Sequence, residues 1–333
     1  MNSRQALLLL LLMTLFFTQQ HSFSQKTKQS VQLPDISKEI MKMRENDQKN
    51  RIKWANMIRK GKNNSQKFID FTREVIAVDR KNTARMREII SRYVWPTYDL
   101  VGKEASNGAW LIIQHADRNP LFQAKCLTLL KTAVDNGQAN PSNYAYLYDR
   151  VQVSRGEMQL YATQSSTNNG LTEGQFYPIE DESGVQIRRE EMGISRSVEE
   201  YAQSMGFDYS IPTVEEAENR AKKRIFNYET NLRLARKAMN AQDYTTAAEH
   251  YLIVARSYGM VTTQDFIEAS KALALSQHKD IVQAYTFLTR AMTRGWDGFN
   301  DVKDHADFAF LRQANKGKWS DLLITAEEMK LDR

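Results

Sequence analysis

The chain has one cysteine, Cys126, in 333 residues. No intramolecular disulfide can form, and no cysteine pair is available to hold zinc, so the fold must be stabilised by buried apolar surface. Cys126 lies in FQAKCLTLL among Leu127, Leu129 and Leu130 and is expected to be a small buried hydrophobe of a packed helix rather than a nucleophile. Histidine is also scarce. Beyond His21 the chain has four, and His250, His278 and His305 fall in its last third, which leaves His115 alone between 25 and 226. A multi-histidine metal site in the first two thirds is excluded by count, and no metal or cofactor is implied. There is no phosphate-binding loop, because Gly61-Lys62 has Asn56 where that motif requires a glycine.

Charge of one sign is lacking as well. The 46 Lys and Arg are set against 40 Asp and Glu, and runs such as RENDQKNR and RREE mix the two signs as solvated helix faces do. The densest basic stretch, Arg59-Lys60-Gly61-Lys62, has no interleaved aromatics, which argues against a nucleic-acid partner. The longest apolar stretch runs only from Ala6 to Phe17, well short of the roughly 20 residues that span a bilayer. With Arg4 before it and Ser22-Phe23-Ser24 after it, this stretch reads as a signal peptide over 1–24, cleaved before Gln25. The chain is therefore expected to be exported, periplasmic or extracellular, with no membrane span after cleavage. The lack of a cysteine after the apolar run argues against a lipid anchor.

What is present is mostly helical periodicity. Residues 35–59 place Ile36, Ile40, Met43, Ile52, Ala55 and Ile58 at helical intervals around a very polar 45–51. Phe68, Phe71 and Val75 mark a second helix over 67–78, and a third is expected after Thr83 as N-cap, with Met86, Ile89, Ile90 and Tyr93 on one face. Proline disfavours helical geometry in the residue before it, so Trp95-Pro96 breaks the pattern. Residues 104–117, apolar at every position from Ala109 to Ile113, predict a central buried helix. Asn119-Pro120 opens another helix that stops at Asn136-Gly137, and a shorter one runs from Pro141 to about Arg150. Val151, Val153, Met158 and Leu160 then alternate around Arg155-Gly156, which predicts a β-hairpin. A second hairpin is expected over 175–189, turning at Glu182-Ser183-Gly184, with a polar loop over 165–174. Ser197 with Glu200 and Thr213 with Glu216 are spaced as capping boxes.

From about 214 the chain is helical throughout, and two segments resemble tetratricopeptide repeats. Leu234, Ala235 and Ala238 precede Tyr244, Ala247, Tyr251 and Val254 in one, and Ala284, Leu288 and Ala291 mark the other. Small residues at these places let paired helices approach closely, and stacked pairs bury a continuous core. The resemblance implies a polypeptide partner. Trp296, Phe299, Phe308 and Leu311 are expected to cap the last repeat. The fold class expected is mainly α: a helix-rich α+β domain with small hairpins over 35–205, followed over 214–333 by tetratricopeptide-like helical repeats.

Polar residues inside core-like segments identify a candidate site. WLIIQHAD places Gln114, His115 and Asp117 at the end of the buried helix, with Gln114 and Asp117 on one face. Asp149 and Arg150 sit at an expected helix-to-strand junction, and alternation in QLYATQ predicts that Gln159, Tyr161 and Thr163 point to one side of a strand, with Gln164 closing the block. A histidine beside carboxylates can serve as a general base, with Asp117 or Asp149 orienting His115 and Arg150 or Gln159 stabilising negative charge. The same groups can instead hold a small polar ligand without catalysis, or serve structure only. The ligand-binding reading leads, a hydrolase is the alternative, and a purely structural scaffold is the third.

These blocks also carry a resemblance. YVWPT (93–97), VGKEAS (101–106), WLIIQHAD, the DRV of 149–151, QLYATQ, PIED (178–181) and Arg188-Arg189 followed by Gly193 resemble, in this order, an uncharacterised bacterial domain family of exported or surface proteins over roughly 35–205. The family implies glycine at positions 94 and 162, where this chain has Val94 and Ala162, and it implies no activity.

Overall fold

The structure is a computed structural model, and it describes residues 31–62, 65–166, 174–277, 280–299, 303–314 and 316–330. The predicted signal peptide lies outside the described residues. Among the described residues, fourteen α-helices and one small two-stranded sheet make a mainly α protein. No helix among them is long and apolar enough to cross a membrane.

The first layer is built from α1 (Pro34–Arg59), α2 (Gln66–Tyr93), the single turn α3 (Tyr98–Val101) and α4 (Lys103–Gln114). Pro34 at the first turn supplies a pre-set φ where no N–H is needed, and the Ser65 hydroxyl caps α2 by accepting the Phe68 N–H. No break occurs at Thr83. Its hydroxyl donates to the Asp79 carbonyl within a continuous helix, so this buried threonine satisfies itself mid-helix and caps nothing. Helix α2 ends at Tyr93, before Trp95-Pro96, as expected. Ile40, Met86, Ile89, Ala109, Ile112 and Ile113 fill the core between α1, α2 and α4, and α5 (Pro120–Asp135) adds Phe122, Cys126 and Leu130. Cys126 is buried among them.

Helix α6 (Pro141–Arg155) is longer than its predicted end at Arg150, and the first hairpin is absent. Gly156 is the reason. It adopts the left-handed conformation (φ 78°, ψ 21°) and closes α6, with the Glu157 N–H returning to the Gln152 carbonyl. The glycine expected to be a hairpin turn is a helix stop. The chain from Glu157 to Gln164 is irregular, touching a parallel bridge between Gln159 and Ile179.

The sheet pairs β1 (Ser165–Ser166) with β2 (Gln175–Phe176), antiparallel, in the register Ser165 to Phe176. The hairpin expected at 182–184 is a 3-10 turn, Glu182–Gly184, leading into α7 (Val185–Glu191). Val185 and Arg189 are both fully buried while Ile187 is exposed, the i, i+4 pattern of a helix and not the alternation of a strand. Most of the predicted 165–174 loop lies outside the described residues. Both predicted capping boxes are present, opening α8 (Val198–Ser204) and α9 (Val214–Asn240).

Helices α9, α10 (Tyr244–Val254), α11 (Thr263–Leu275) and α12 (Ile281–Thr293) pack each on the next. Ala235, Ala247, Tyr251, Val254, Ala284, Leu288 and Ala291 are buried in one continuous core, which Phe299, Phe308 and Leu311 extend and against which Trp296 packs. Two further helices, α13 (Ala309–Ala314) and α14 (Lys316–Lys330), close this end. The Gly259 N–H donates to the Gly156 carbonyl, and Glu157 pairs with Arg294, so the helical stack is joined to the first layers directly before the 157–164 segment.

Candidate functional site

Helix α4 ends in the QHAD turn. Trp110, Leu111 and Gln114, at i, i+1 and i+4, share its outer face, while His115 is its C-cap residue. The buried Gln123 side chain donates to the carbonyls of Ile113 and Gln114 at 3.0 and 3.1 Å, which fixes the turn from α5. Facing it, α6 presents Tyr146 and Arg150, again one helical turn apart. Thr163, Gln164 and Ser165 form the third wall, and Tyr201 and Met205 of the α8 end form the fourth. Together these side chains line a cleft of about 300 Å3.

The third wall is held from behind by a dense network. Asp149, with no exposed surface, accepts the N–H groups of Leu160 (2.8 Å), Tyr161 (3.1 Å) and Thr163 (3.0 Å) and the Thr163 hydroxyl (2.9 Å). Burial pushes its carboxyl up to about 6, against the pull of those donors. The matching carbonyls are taken by arginines of α7: Arg188 Nε donates to Leu160 O at 2.9 Å and Arg189 Nη1 to Tyr161 O at 2.7 Å. Tyr201 donates from its hydroxyl to Thr163 O, and burial raises its phenol to about 12, which keeps that proton in place. A short irregular segment is thus paired on its N–H side by one carboxylate and on its C=O side by two guanidinium groups.

The predicted residues divide accordingly. Gln114, His115, Arg150 and Gln164 meet in the cleft. Asp117 is at its margin, exposed and paired with Arg150 at 2.7 Å. Asp149 and Gln159 lie behind the wall and serve the backbone, and Tyr161 turns away to sit edge-on to Tyr148. Neither Asp117 nor Asp149 orients His115. That role falls to Asp47 of α1, buried, whose Oδ1 is 2.9 Å from His115 Nδ1. Burial pushes Asp47 up, but hydrogen bonds from His115 and Gln48 and the charges of His115 and Arg51 outweigh it and hold the carboxyl below its ordinary value. Asp47 is hidden in the polar 45–51 stretch. The signal for it is its place seven residues after Ile40 and four after Met43, on the buried face of α1. Trp110, Tyr146, Thr163 and Tyr201 also belong to the site; Trp110 one turn before Gln114 and Tyr146 one turn before Arg150 are the pairings that could have found two of them.

Three of the lining side chains carry a buried N–H with no protein acceptor: Trp110 Nε1, Gln114 Nε2 and Arg150 Nε. Leaving such a donor unmet costs about 1–3 kcal/mol, and each of the three atoms has almost no accessible surface, so it lies behind the wall of the cleft and not on it. Its charges are nearly balanced, since Arg150 faces Asp117 and His115 faces Asp47. Aromatic rings supply the rest of the surface, with Trp110 and Tyr201 each edge-on to Tyr146 at 6.2 and 6.3 Å.

The chain belongs to a family of unknown function (DUF6624), whose model matches residues 34–212 and so takes in every residue of the cleft. No curated protein and no solved structure matches the chain.

Proposed function

We propose that this DUF6624 member is an exported binding protein whose cleft holds a small, polar, acceptor-rich molecule, a sugar or an amide, and whose C-terminal helix pairs engage a polypeptide. The observation that carries the ligand is the meeting of Gln114, His115, Arg150 and Gln164 with the aromatic Trp110, Tyr146 and Tyr201 in one cleft. Carbonyl or hydroxyl oxygens suit such polar side chains, and the balanced charges favour a neutral molecule over an anion. A volume of about 300 Å3 sits at the small end of the range for ligand pockets, roughly 300–1,000 Å3, and the aromatic walls offer flat apolar contact to a ring.

The test is a thermal-shift panel of neutral monosaccharides and acylated amino-acid amides, since a ligand selective for the folded chain raises its melting temperature. A positive member should lose its effect in Trp110→Ala, which removes an aromatic wall of the cleft, and in Arg150→Met, which removes a charge from it. Binding that is indifferent to both changes, or a panel with no positive member, sinks the reading.

The polypeptide reading draws on the tetratricopeptide-like spacing and on an open depression of about 550 Å3 along α9, with Tyr228, Glu229, Leu232, Arg233, Arg236 and Lys237 on its walls. Tyr228 and Arg236 both reach Asp265 of α11, at 3.0 and 3.4 Å. Three basic side chains against one acidic one suit an acidic segment. Export is supported by the 1–24 pattern, and the N-terminal residue of the secreted chain checks it.

A further inference from the structure

We propose that the cleft also performs chemistry: His115, held by Asp47, is a general base that directs water onto the carbonyl carbon of a small ester or amide bound beside Arg150. This rests on the binding reading above and adds a reaction to it.

Three observations carry the step. First, Asp47 engages Nδ1 of His115, at 2.9 Å, and is itself fixed by Gln48 Nε2 at 2.8 Å. An ionised carboxylate at that position requires the proton on Nδ1, so the lone pair of the neutral ring is on Nε2. Second, Nε2 has no protein partner among the described residues, while the ring is about one-fifth exposed and lines the cleft. Third, the Arg150 guanidinium lines the same cleft and supplies the positive charge that a carbonyl oxygen needs as it gains negative charge.

The atoms balance with water as the only co-reactant. Water oxygen bonds to the carbonyl carbon as Nε2 takes its proton, and the carbonyl oxygen becomes an oxyanion beside the Arg150 guanidinium. When that oxygen re-forms its double bond, the bond from carbon to the alkoxy or amino group breaks, and Nε2 returns the proton to the leaving group. His115 is the catalytic residue. Asp47 is a positioning residue that acts through it. Thr163 Oγ1 donates to Asp149 and accepts from Gln164 Nε2, so it holds the wall of the cleft.

The experiment reads His115 directly on the full mature chain. Diethyl pyrocarbonate acylates unprotonated imidazole, and mass spectrometry resolves each site. His250 is the internal control, since its Nδ1 meets the neutral amide of Asn231 at 2.8 Å. His115 should react at least threefold faster than His250, and Asp47→Asn should remove the advantage. Nitrogen-15 spectra of the unmodified chain should show the Nδ1–H tautomer at His115, a reading that survives if Asp47→Asn fails to fold. Release of 4-nitrophenolate from 4-nitrophenyl acetate should fall at least tenfold in His115→Ala. A His115 no faster than His250, an Nε2–H tautomer, or ester hydrolysis equal in His115→Ala overturns the proposal. The parent chain separates the two readings: a reactive His115 with no panel member bound defeats the binding reading alone, and a bound panel member beside an unreactive His115 defeats this proposal alone.

Discussion

Gln159 and Gln164 clasp one another across the turn they enclose: Gln159 Nε2 donates to the Gln164 carbonyl at 2.8 Å, and its Oε1 accepts the Gln164 N–H at 2.9 Å. The same amide nitrogen also donates to Tyr177 O at 2.7 Å, which ties the turn to the residue directly after β2. One buried side chain therefore satisfies three backbone groups beside the cleft. Gln159→Ala leaves all three unmet, at about 1–3 kcal/mol for each group that water cannot reach. The expected outcome is a stability loss of about 3 kcal/mol in urea unfolding, together with loss of any cleft ligand, because Thr163 and Gln164 are no longer held. Gln159→Glu keeps the acceptor, loses both donations and buries a charge, so it should be no milder than alanine. A loss below about 1 kcal/mol, within the range of an ordinary surface change, would show that the clasp is dispensable.

Val94 and Ala162 occupy backbone that favours glycine, with φ of 61° and 50°. The resemblance that implied glycine at these two positions thus has a physical basis in the chain's own conformation. A β-branched residue in this region is strained by about 1–3 kcal/mol. Val94 is exposed, so removing its side chain forfeits little packing. Val94→Gly should raise stability by about 1 kcal/mol after the added freedom of the unfolded chain is subtracted. Ala162 is fully buried against the cluster of Phe176, Val185 and Val198, and Ala162→Gly should be close to neutral because the lost methyl contact offsets the relief. Paired melting curves of the two variants check the contrast.

Gly156 is required for two reasons at once. Its φ of 78° is left-handed, and a Cβ there would stand 2.7 Å from Cζ of Phe266, a fully buried ring of the helical stack. Gly156→Ala should therefore cost more than the roughly 1–2 kcal/mol of the backbone conformation alone, and the excess should come from the seam with α11. A double-mutant cycle with Phe266→Leu isolates that part: coupling of at least about 0.5 kcal/mol in the relieving direction is expected for residues in contact. Strict additivity would mean that the seam yields without cost.

Most helix starts were legible where an apolar stripe met a cap. Asn119-Pro120, Ser197 with Glu200 and Thr213 with Glu216 all mark true helix starts. Thr83 does not, since its hydroxyl turns to the Asp79 carbonyl inside a continuous helix. The errors share a cause: threonine, glycine and alternation are local signals, and whether Gly156 closes a helix or turns a hairpin depends on what lies beyond it. Val151 and Val153 alternate in sequence, yet α6 continues through them because Val151 packs into the helical core. The site was half legible for a related reason. Gln114, His115, Arg150 and Gln164 stood out as polar residues in apolar surroundings. Asp47 did not, since a buried acid among exposed ones looks like its neighbours until the helix face is known. Asp149 and Gln159 stood out equally, but their chemistry is spent on the backbone of residues 160–164.

Acid should expose the difference between Asp47 and the carboxylates around it. Its folded value is lowered, so the ionised form is favoured by folding; that stability is fully present above the unfolded value, about 3.9, and is lost as pH falls through the lower folded value. Asp79, paired with Arg51 at 2.7 Å, has the opposite sign: burial outweighs Arg51 and raises it. Its charge opposes folding at neutral pH, and that opposition fades on acidification. In urea unfolding at pH 7, 5 and 3, Asp47→Asn should be less stable than the parent chain at pH 7 and 5, with a gap that narrows by pH 3. The variant cannot regain the parent's stability at neutral pH, because the amide that replaces the carboxylate offers no charge to His115 or Arg51. A gap that stays constant across the three pH values would mean that Asp47 is not held ionised by its partners, and that the His115 ring is positioned by shape rather than by charge.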